Sequence, residues 1–253
     1  MHSGTVDFVV AGTQKGGTST LDAYLREHPE VCMPSADKEV HYFDDDAKFA
    51  AAAAAADYVA YHAHFTPAPQ QRLLGDATPV YMFHPPAPAR IHAYNPSMKF
   101  IMLLRDPAKR AYSHWNMEVK LGREDLSFDD AIRAEAEGSR VSTPTQARQR
   151  AYVQRGFYSA QLQRIWGLFP ASQTLVLRSD QFAADSASVL AQVAAFLGVA
   201  AFPRADRRKV FKLPYAASMT DRALAQLRGT FAAEVDTLER VLGWDLSHWK
   251  GAA

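Results

Sequence analysis

Short apolar runs alternate along the chain with longer stretches of helical spacing. "DFVVAG", Asp7 to Gly12, reads as a buried strand closed by glycine. After Gly16 and Gly17, Leu21, Tyr24, Leu25 and His28 recur at helical spacing, and Pro29 ends the helix. "RLLGDATP", "MKFIMLLRDP" and "QTLVLRSD" supply three more strand-sized runs. "AKFAAAAAADYVAYHAHF" carries seven consecutive alanines and predicts a helix. Its His62 and His64, two apart, would point away from each other, which disfavours a joint metal site. The stretch from "LSFDDAIRAEAEG" to "RIWGLFP" is helical in pattern with a break at "RVSTPTQ", and "SVLAQVAAFLG" is helical. Asp106 is placed to cap a helix that begins at Pro107. Leu224, Leu227, Phe231, Val235, Leu238 and Leu242 mark a closing amphipathic helix. Strands alternating with helices predict a parallel sheet covered on both faces. The expected fold class is α/β: a single P-loop-like domain over residues 1–253, with a central parallel sheet flanked by helices.

Composition narrows the function classes. The 253 residues are 48% apolar and 22% charged, ordinary for a soluble globular protein. A formal net charge of +1 gives no long-range attraction to nucleic acid or to an anionic membrane, so neither is an expected partner. Cys32 is the only cysteine, so no intrachain disulfide and no cysteine zinc cluster can form. The start "MHSGTVDFVVAG" lacks the pattern of a signal peptide, and no run reaches membrane-spanning length. The expected location is cytoplasmic.

The candidate chemistry begins in "VAGTQKGGTST", Val10 to Thr20. The common nucleotide loop reads G-x-x-x-x-G-K-[ST]. Gly12, Gly17 and Ser19 fit that frame, but Thr18 stands where the lysine belongs and Lys15 comes three residues earlier. A loop between strand and helix sits where free helix N–H groups and the macrodipole can hold an anion. Gly16 and Gly17 admit close backbone approach, and Thr18, Ser19 and Thr20 add hydroxyl donors. The plainer alternative is a glycine turn with a surface lysine.

A second anion-binding set follows the "MKFIMLL" strand. Arg105 falls at its carboxyl end, where open α/β sheets bind ligands. Ser113, seven residues past Asp106, lies about two helical turns along the same face. Two such sets suggest a nucleotide with phosphates in two places; a structural Arg–Asp pair and an exposed serine is the alternative for the second. A magnesium-dependent P-loop kinase would want a lysine after Gly17 and an acid at the end of a neighbouring strand, where this chain has arginine. A non-catalytic nucleotide-binding module is the third possibility.

"AGTQKGGTSTLDAYLREHPEV", "KEVHYFD", "GDATPVYMF", "FIMLLRDPAKRAYSHW" and "RGFYSAQLQRIWGLFP" occur in the order seen in sulfotransferases that use 3′-phosphoadenosine 5′-phosphosulfate. The likeness runs from about Phe8 to Arg178, with a weaker echo at "GWDLSHW". It most resembles the heparan-sulfate sulfotransferase branch and its bacterial relatives. The resemblance implies a metal-free transfer of a sulfuryl group to a hydroxyl of a saccharide or hydroxylated small metabolite, leaving adenosine 3′,5′-bisphosphate. It assigns Lys15, Gly16, Gly17, Thr18, Ser19 and Thr20 to the 5′-phosphosulfate, and Arg105 and Ser113 to the 3′-phosphate. Lys15 would also stabilise the leaving phosphate as its charge grows.

The resemblance places the catalytic glutamate at Glu39, as general base, with His41 orienting the acceptor or assisting charge stabilisation. If "KEVHYFD" is extended, Glu39 and His41 project to one face. An ordinary glutamate titrates near ~4.3, so an effective base is expected to be raised by partial burial. Without the resemblance, Glu39 reads as a solvated loop acid and His41 as a packed core histidine. Thr78, Tyr81 and Phe83, with Trp115, are candidates for the acceptor pocket. The chain departs from the heparan branch at Ala77, where that branch often has a lysine at the active site. Its single cysteine also forbids the disulfide that closes a loop in the vertebrate enzymes. "RADRRKVFKLPYAASM", with five basic residues from Arg204 to Lys212, reads either as a lid over the nucleotide or as a solvated turn.

Overall fold

The computed structural model of the protein describes residues 4–36, 38–50, 58–204, 215 and 218–251. The chain gathers into two compact units, Met1–Leu104 with Gln163–Lys212, and Arg105–Leu162 with Leu213–Ala253. In chain order the elements are β1 (Phe8–Gly12), α1 (Thr18–Glu27), β2 (Val31–Cys32), α2 (Asp46–Phe49), α3 (Val59–His62), β3 (Leu73–Asp76), α4 (Ala87–Tyr94), β4 (Lys99–Leu104), α5 (Pro107–Lys120), α6 (Phe128–Ala136), α7 (Pro144–Arg150), α8 (Tyr158–Trp166), β5 (Thr174–Arg178), α9 (Ser179–Ala184), α10 (Ser186–Leu197), α11 (Asp221–Leu242) and α12 (Ser247–Lys250).

The sheet lies entirely in the first unit, in the order β2-β3-β1-β4-β5, with every adjacent pair parallel. The α/β expectation therefore holds, with one addition. Val31–Cys32 forms a short fifth strand at the edge, too brief to leave an apolar run in the sequence. The chain builds β2 and β3 on one side of β1 and then crosses to build β4 and β5 on the other. The carboxyl end of β1 is thus the switch point at which open α/β sheets bind ligands. All five β1 residues are buried. Phe8 and Val10 join Leu21, Tyr24 and Leu25 of α1, Leu177 of β5 and Val189 and Val193 of α10 in one apolar cluster. That cluster fixes α1 behind the sheet with its N-terminus at the switch point.

The alanine run falls mostly outside the described residues. Before and after it the chain forms short helices, α2 and α3, and the expectation of helix across the run itself lies outside the described residues. His62 Nε2 lies 2.7 Å from the Tyr94 hydroxyl, so it is a packed histidine.

In the second unit, Asp106 caps α5 as expected, accepting from the amides of Ala108 and Lys109 at 2.9 and 3.2 Å. The break at "RVSTPTQ" separates α6 from α7, whose start is a capping box between Thr143 and Gln146. The closing helix α11 buries Leu227, Phe231, Val235 and Leu238 along one stripe. Its Glu234 accepts from the amide and the hydroxyl of Ser159, both at 2.7 Å, and so caps the first turn of α8. No described helix is long and apolar enough to cross a membrane.

Candidate active site

The loop after β1 is tied to the sheet by two backbone bonds. The Thr13 amide donates to Leu103 O at 3.0 Å, and the Gly16 amide to Thr13 O at 2.8 Å. A Cβ on Gly16 would stand 2.4 Å from Leu103 O, so only glycine lets the loop lie this close to β4. Lys15, half-buried, turns the chain with φ 72°, and Gly17 with φ 104° begins α1. Gly17 brings no side chain to cap the helix. The first-turn amides of Thr18 and Ser19, which helix geometry leaves without intrahelical acceptors, are therefore available to an anion at the switch point. Glycine crowding, an uncapped ten-residue helix and adjacent hydroxyls fit a phosphate group.

The second cluster lies in the same unit. Residues 38–42 form no regular strand, contrary to the extended reading of "KEVHYFD". Glu39 and His41 nevertheless meet, with Glu39 Oε2 3.4 Å from His41 Nε2. His41 has φ 53°, a left-handed turn, and that turn rather than strand alternation brings the two side chains together. The other imidazole nitrogen, Nδ1, lies 3.0 Å from Asp44 Oδ2. Lys38 Nζ donates to Glu39 Oε1 at 2.9 Å.

These contacts set the charges. Hydrogen bonds to Asp44 and then Glu39 outweigh burial and raise His41 to about 9, so it is an imidazolium at neutral pH. For Glu39, burial pushes upward, but the His41 bond and the Lys38 charge outweigh it and hold the carboxyl at about 2. The expectation of a raised glutamate is thus corrected: two cations overcome the burial. Glu39 is ionised and open to a proton, but weakly basic while both cations hold it.

Two of the three candidate acceptor contacts have another role. Thr78 and Tyr81 are fully buried. The Thr78 hydroxyl donates to Asp76 Oδ1 at 2.6 Å and accepts the Val40 amide at 3.0 Å. The Tyr81 hydroxyl donates to Asp76 Oδ2 at 2.9 Å and accepts the Tyr42 amide at 3.1 Å. With no exposed surface, neither can line an acceptor pocket, and both brace the 38–42 loop. Phe83 remains half-buried. Ala77 is fully buried in the core cluster and carries no charge to this site.

In the second unit, Arg105 directly follows β4, and its carbonyl accepts from the Tyr158 hydroxyl at 2.9 Å. Ser113 is buried on α5. Trp115 donates to Leu126 O at 3.0 Å and stacks on Tyr112. The segment from Arg204 to Lys212 lies, after Arg204 itself, outside the described residues.

Lys38, Asp44 and Asp76 carry no role that the sequence alone assigns. Asp44 stands three residues after His41 inside a motif already singled out. Asp76 ends a strand two residues before Thr78, a spacing that puts both side chains on one face. Those were the available signals, and neither separates a functional acid from a solvated one.

A parallel sheet whose central strand runs through a glycine loop into an uncapped helix is the architecture of phosphate-binding α/β proteins. Within that class the chain belongs to the sulfotransferase domain family, whose model matches residues 5–227. It is 34% identical over 137 residues to the membrane-associated sulfotransferase kil1 of Dictyostelium discoideum, covering 52% of this chain and 28% of that protein. It is 28% identical over 192 residues to heparan sulfate glucosamine 3-O-sulfotransferase 3A1 of Mus musculus, covering 76% of this chain and 45% of that protein. The chain thus spans less than half the length of these curated relatives. The crystal structure of a sulfotransferase from Alicyclobacillus acidocaldarius superimposes with a TM-score of 0.78 at 30% identity, covering 97% of this chain and 98% of that one.

Proposed function

We propose that residues 1–253 act as one sulfotransferase domain. It moves a sulfuryl group from 3′-phosphoadenosine 5′-phosphosulfate to a hydroxyl of a saccharide or hydroxylated small metabolite. The donor supplies the sulfuryl group on a cleavable sulfur–oxygen bond. Residues Lys15 to Thr20 are assigned to its 5′-phosphosulfate, and Arg105 and Ser113 to its 3′-phosphate. Glu39 takes the acceptor's proton as the acceptor oxygen bonds to sulfur, and the sulfur–oxygen electron pair leaves with the 5′-phosphate. Lys15 stabilises the charge gathering there. His41 enters as an imidazolium; with Asp44 and Glu39 on its two nitrogens, it assists by charge stabilisation. Phe83 is assigned to acceptor contact. A relative named for transfer to heparan sulfate glucosamine favours the saccharide arm.

The observation that carries this reading is Glu39 held between Lys38 and His41, in the same unit as the uncapped helix α1. Calorimetric titration with adenosine 3′,5′-bisphosphate, against ATP with and without magnesium, tests it. The bisphosphate should bind, and more tightly than ATP. Tighter binding of magnesium ATP would overturn the reading in favour of a P-loop kinase. A hydroxyl-acceptor panel read by mass then tests transfer, and fractionation of the source cells tests the cytoplasmic placement.

A further inference from the structure

Asp76 is a fully buried carboxylate that the chemistry above does not use. It ends β3, next to β1. Burial of an acid is unfavourable unless its oxygens are satisfied, and three hydroxyls satisfy these. Thr78 donates to Oδ1, while Tyr81 and Tyr61 donate to Oδ2, the last at 3.1 Å. Burial raises Asp76 to about 6, against the pull of the Thr78, Tyr81 and Tyr61 bonds, so it is mostly ionised at neutral pH.

A hydroxyl can donate or accept, and its neighbours decide which. An ionised carboxylate only accepts, so Asp76 draws the protons of Thr78 and Tyr81 toward itself. Their lone pairs are then turned toward the loop, where they receive the amides of Val40 and Tyr42. Those two residues flank His41 on either side. The 38–42 loop has no strand ladder to satisfy its amides, and His41 sits in a backbone region that β-carbon sterics disfavour. A disfavoured conformation persists only where its surroundings over-determine it. Here the two flanking amides are held by hydroxyls that answer to one carboxylate.

We propose that Asp76 is a positioning residue for this loop. Acting through the hydroxyls of Thr78 and Tyr81, it fixes the backbone on both sides of His41 and so keeps Glu39 and Asp44 on the two nitrogens of one imidazole. The consequence for turnover rests on the sulfuryl-transfer reading; the consequence for loop geometry does not.

The test uses Asp76→Asn, Thr78→Val, Thr78→Ser and Tyr81→Phe in the full chain. The His41 imidazole is titrated by NMR, and kcat and the dissociation constant for adenosine 3′,5′-bisphosphate are measured. The charged groups facing His41 are Glu39, Asp44 and the more distant Asp76, with Lys38 behind Glu39, and all but the substituted one are retained. Thr78→Val and Tyr81→Phe keep the shape but remove the acceptor oxygen, and with it one of the bonds that hold Asp76 ionised. Each should lower the His41 midpoint by about one unit or more as the imidazole slips from its two carboxylates. Each should also lower kcat by roughly ten- to a hundredfold, since a small misplacement suffices for that. Affinity for the bisphosphate should stay within about twofold. Thr78→Ser restores the oxygen and should restore both the midpoint and kcat. Folded Thr78→Val and Tyr81→Phe proteins that titrate His41 as the wild type does would overturn the proposal. Asp76→Asn should lower the midpoint and kcat in the same way, and a folded Asp76→Asn protein with both unchanged would equally overturn the proposal; if it fails to fold, Thr78→Val and Tyr81→Phe still decide whether the hydroxyls hold the loop. A wild type that transfers to no acceptor would remove the function reading, while the titration would still decide the clamp.

Discussion

Glu39 and His41 face each other across 3.4 Å, and each changes the other's proton affinity in opposite directions. The carboxylate is the group with no proton to lose and one to gain. Glu39→Gln should therefore lower kcat by about 10²- to 10⁴-fold, the range expected for loss of a general base. Affinity for adenosine 3′,5′-bisphosphate should hardly change. Undiminished turnover in that variant would take Glu39 out of the mechanism.

The pH dependence follows from His41. Its ordinary value is 6.5 and the folded value is about 9, so the folded protein keeps a proton that the unfolded chain releases earlier. The ion pairs with Asp44 and Glu39 stabilise the fold fully below about pH 6.5, and that contribution is lost as pH rises through about 9. Activity should fall along the same alkaline limb. Because the Asp44 bond is the largest cause of the shift, Asp44→Asn should move the limb down toward pH 6.5. Glu39 stays ionised down to about pH 2 and contributes no acid limb near neutrality. A pH–rate profile of the two proteins is the check, and coincident alkaline limbs would contradict it.

The loop after β1 offers a contrast between neighbours. Alanine at position 16 would press its Cβ against backbone, 2.4 Å from Leu103 O and 2.9 Å from Thr13 O. Alanine at position 17 meets nothing closer than 3.8 Å, but must hold φ 104°. Gly16→Ala should cost about 1–3 kcal/mol through crowding, and Gly17→Ala about 1 kcal/mol or more through the backbone angle alone. Thermal melts give the ranking. A Gly16→Ala protein as stable as the wild type would show that the loop can move away from β4, and the close approach would then not be required.

Strand runs, helix spacing and Asp106 as a cap were legible because each rests on near neighbours in sequence. The tight loop after β1 was legible for the same reason: glycines, hydroxyls and Lys15 are contiguous. The meeting of Glu39 with His41 was anticipated, but from the wrong cause. Alternation along a strand was expected, and a left-handed residue did the work, which no side-chain pattern at a histidine announces. The direction of Glu39's shift depends on Lys38 and His41 outweighing burial, a balance of opposed terms that composition does not weigh. Thr78 and Tyr81 differ from the acceptor-pocket expectation for a related reason. Whether a hydroxyl faces a ligand or a buried carboxylate is settled by the packing of β3 beneath the 38–42 loop, far apart in sequence.

Arg105 carries the remaining assignment, that of the 3′-phosphate. Its main chain is fixed on two sides: the carbonyl takes the Tyr158 hydroxyl, and the next residue, Asp106, caps α5. The side chain therefore starts from a defined point ahead of α5. If it meets the 3′-phosphate, its loss must discriminate between nucleotides that differ only in that group. Arg105→Ala should weaken binding of adenosine 3′,5′-bisphosphate by about 10- to 100-fold, the size of a charged hydrogen bond, and leave adenosine 5′-phosphate within about twofold. Ser113→Ala should follow the same pattern with a smaller loss, about fivefold, as a neutral donor does. Calorimetry with both nucleotides separates the outcomes. Equal losses for the two would mean that Arg105 acts through the fold rather than on the ribose phosphate, and the second anion site would have to be sought elsewhere.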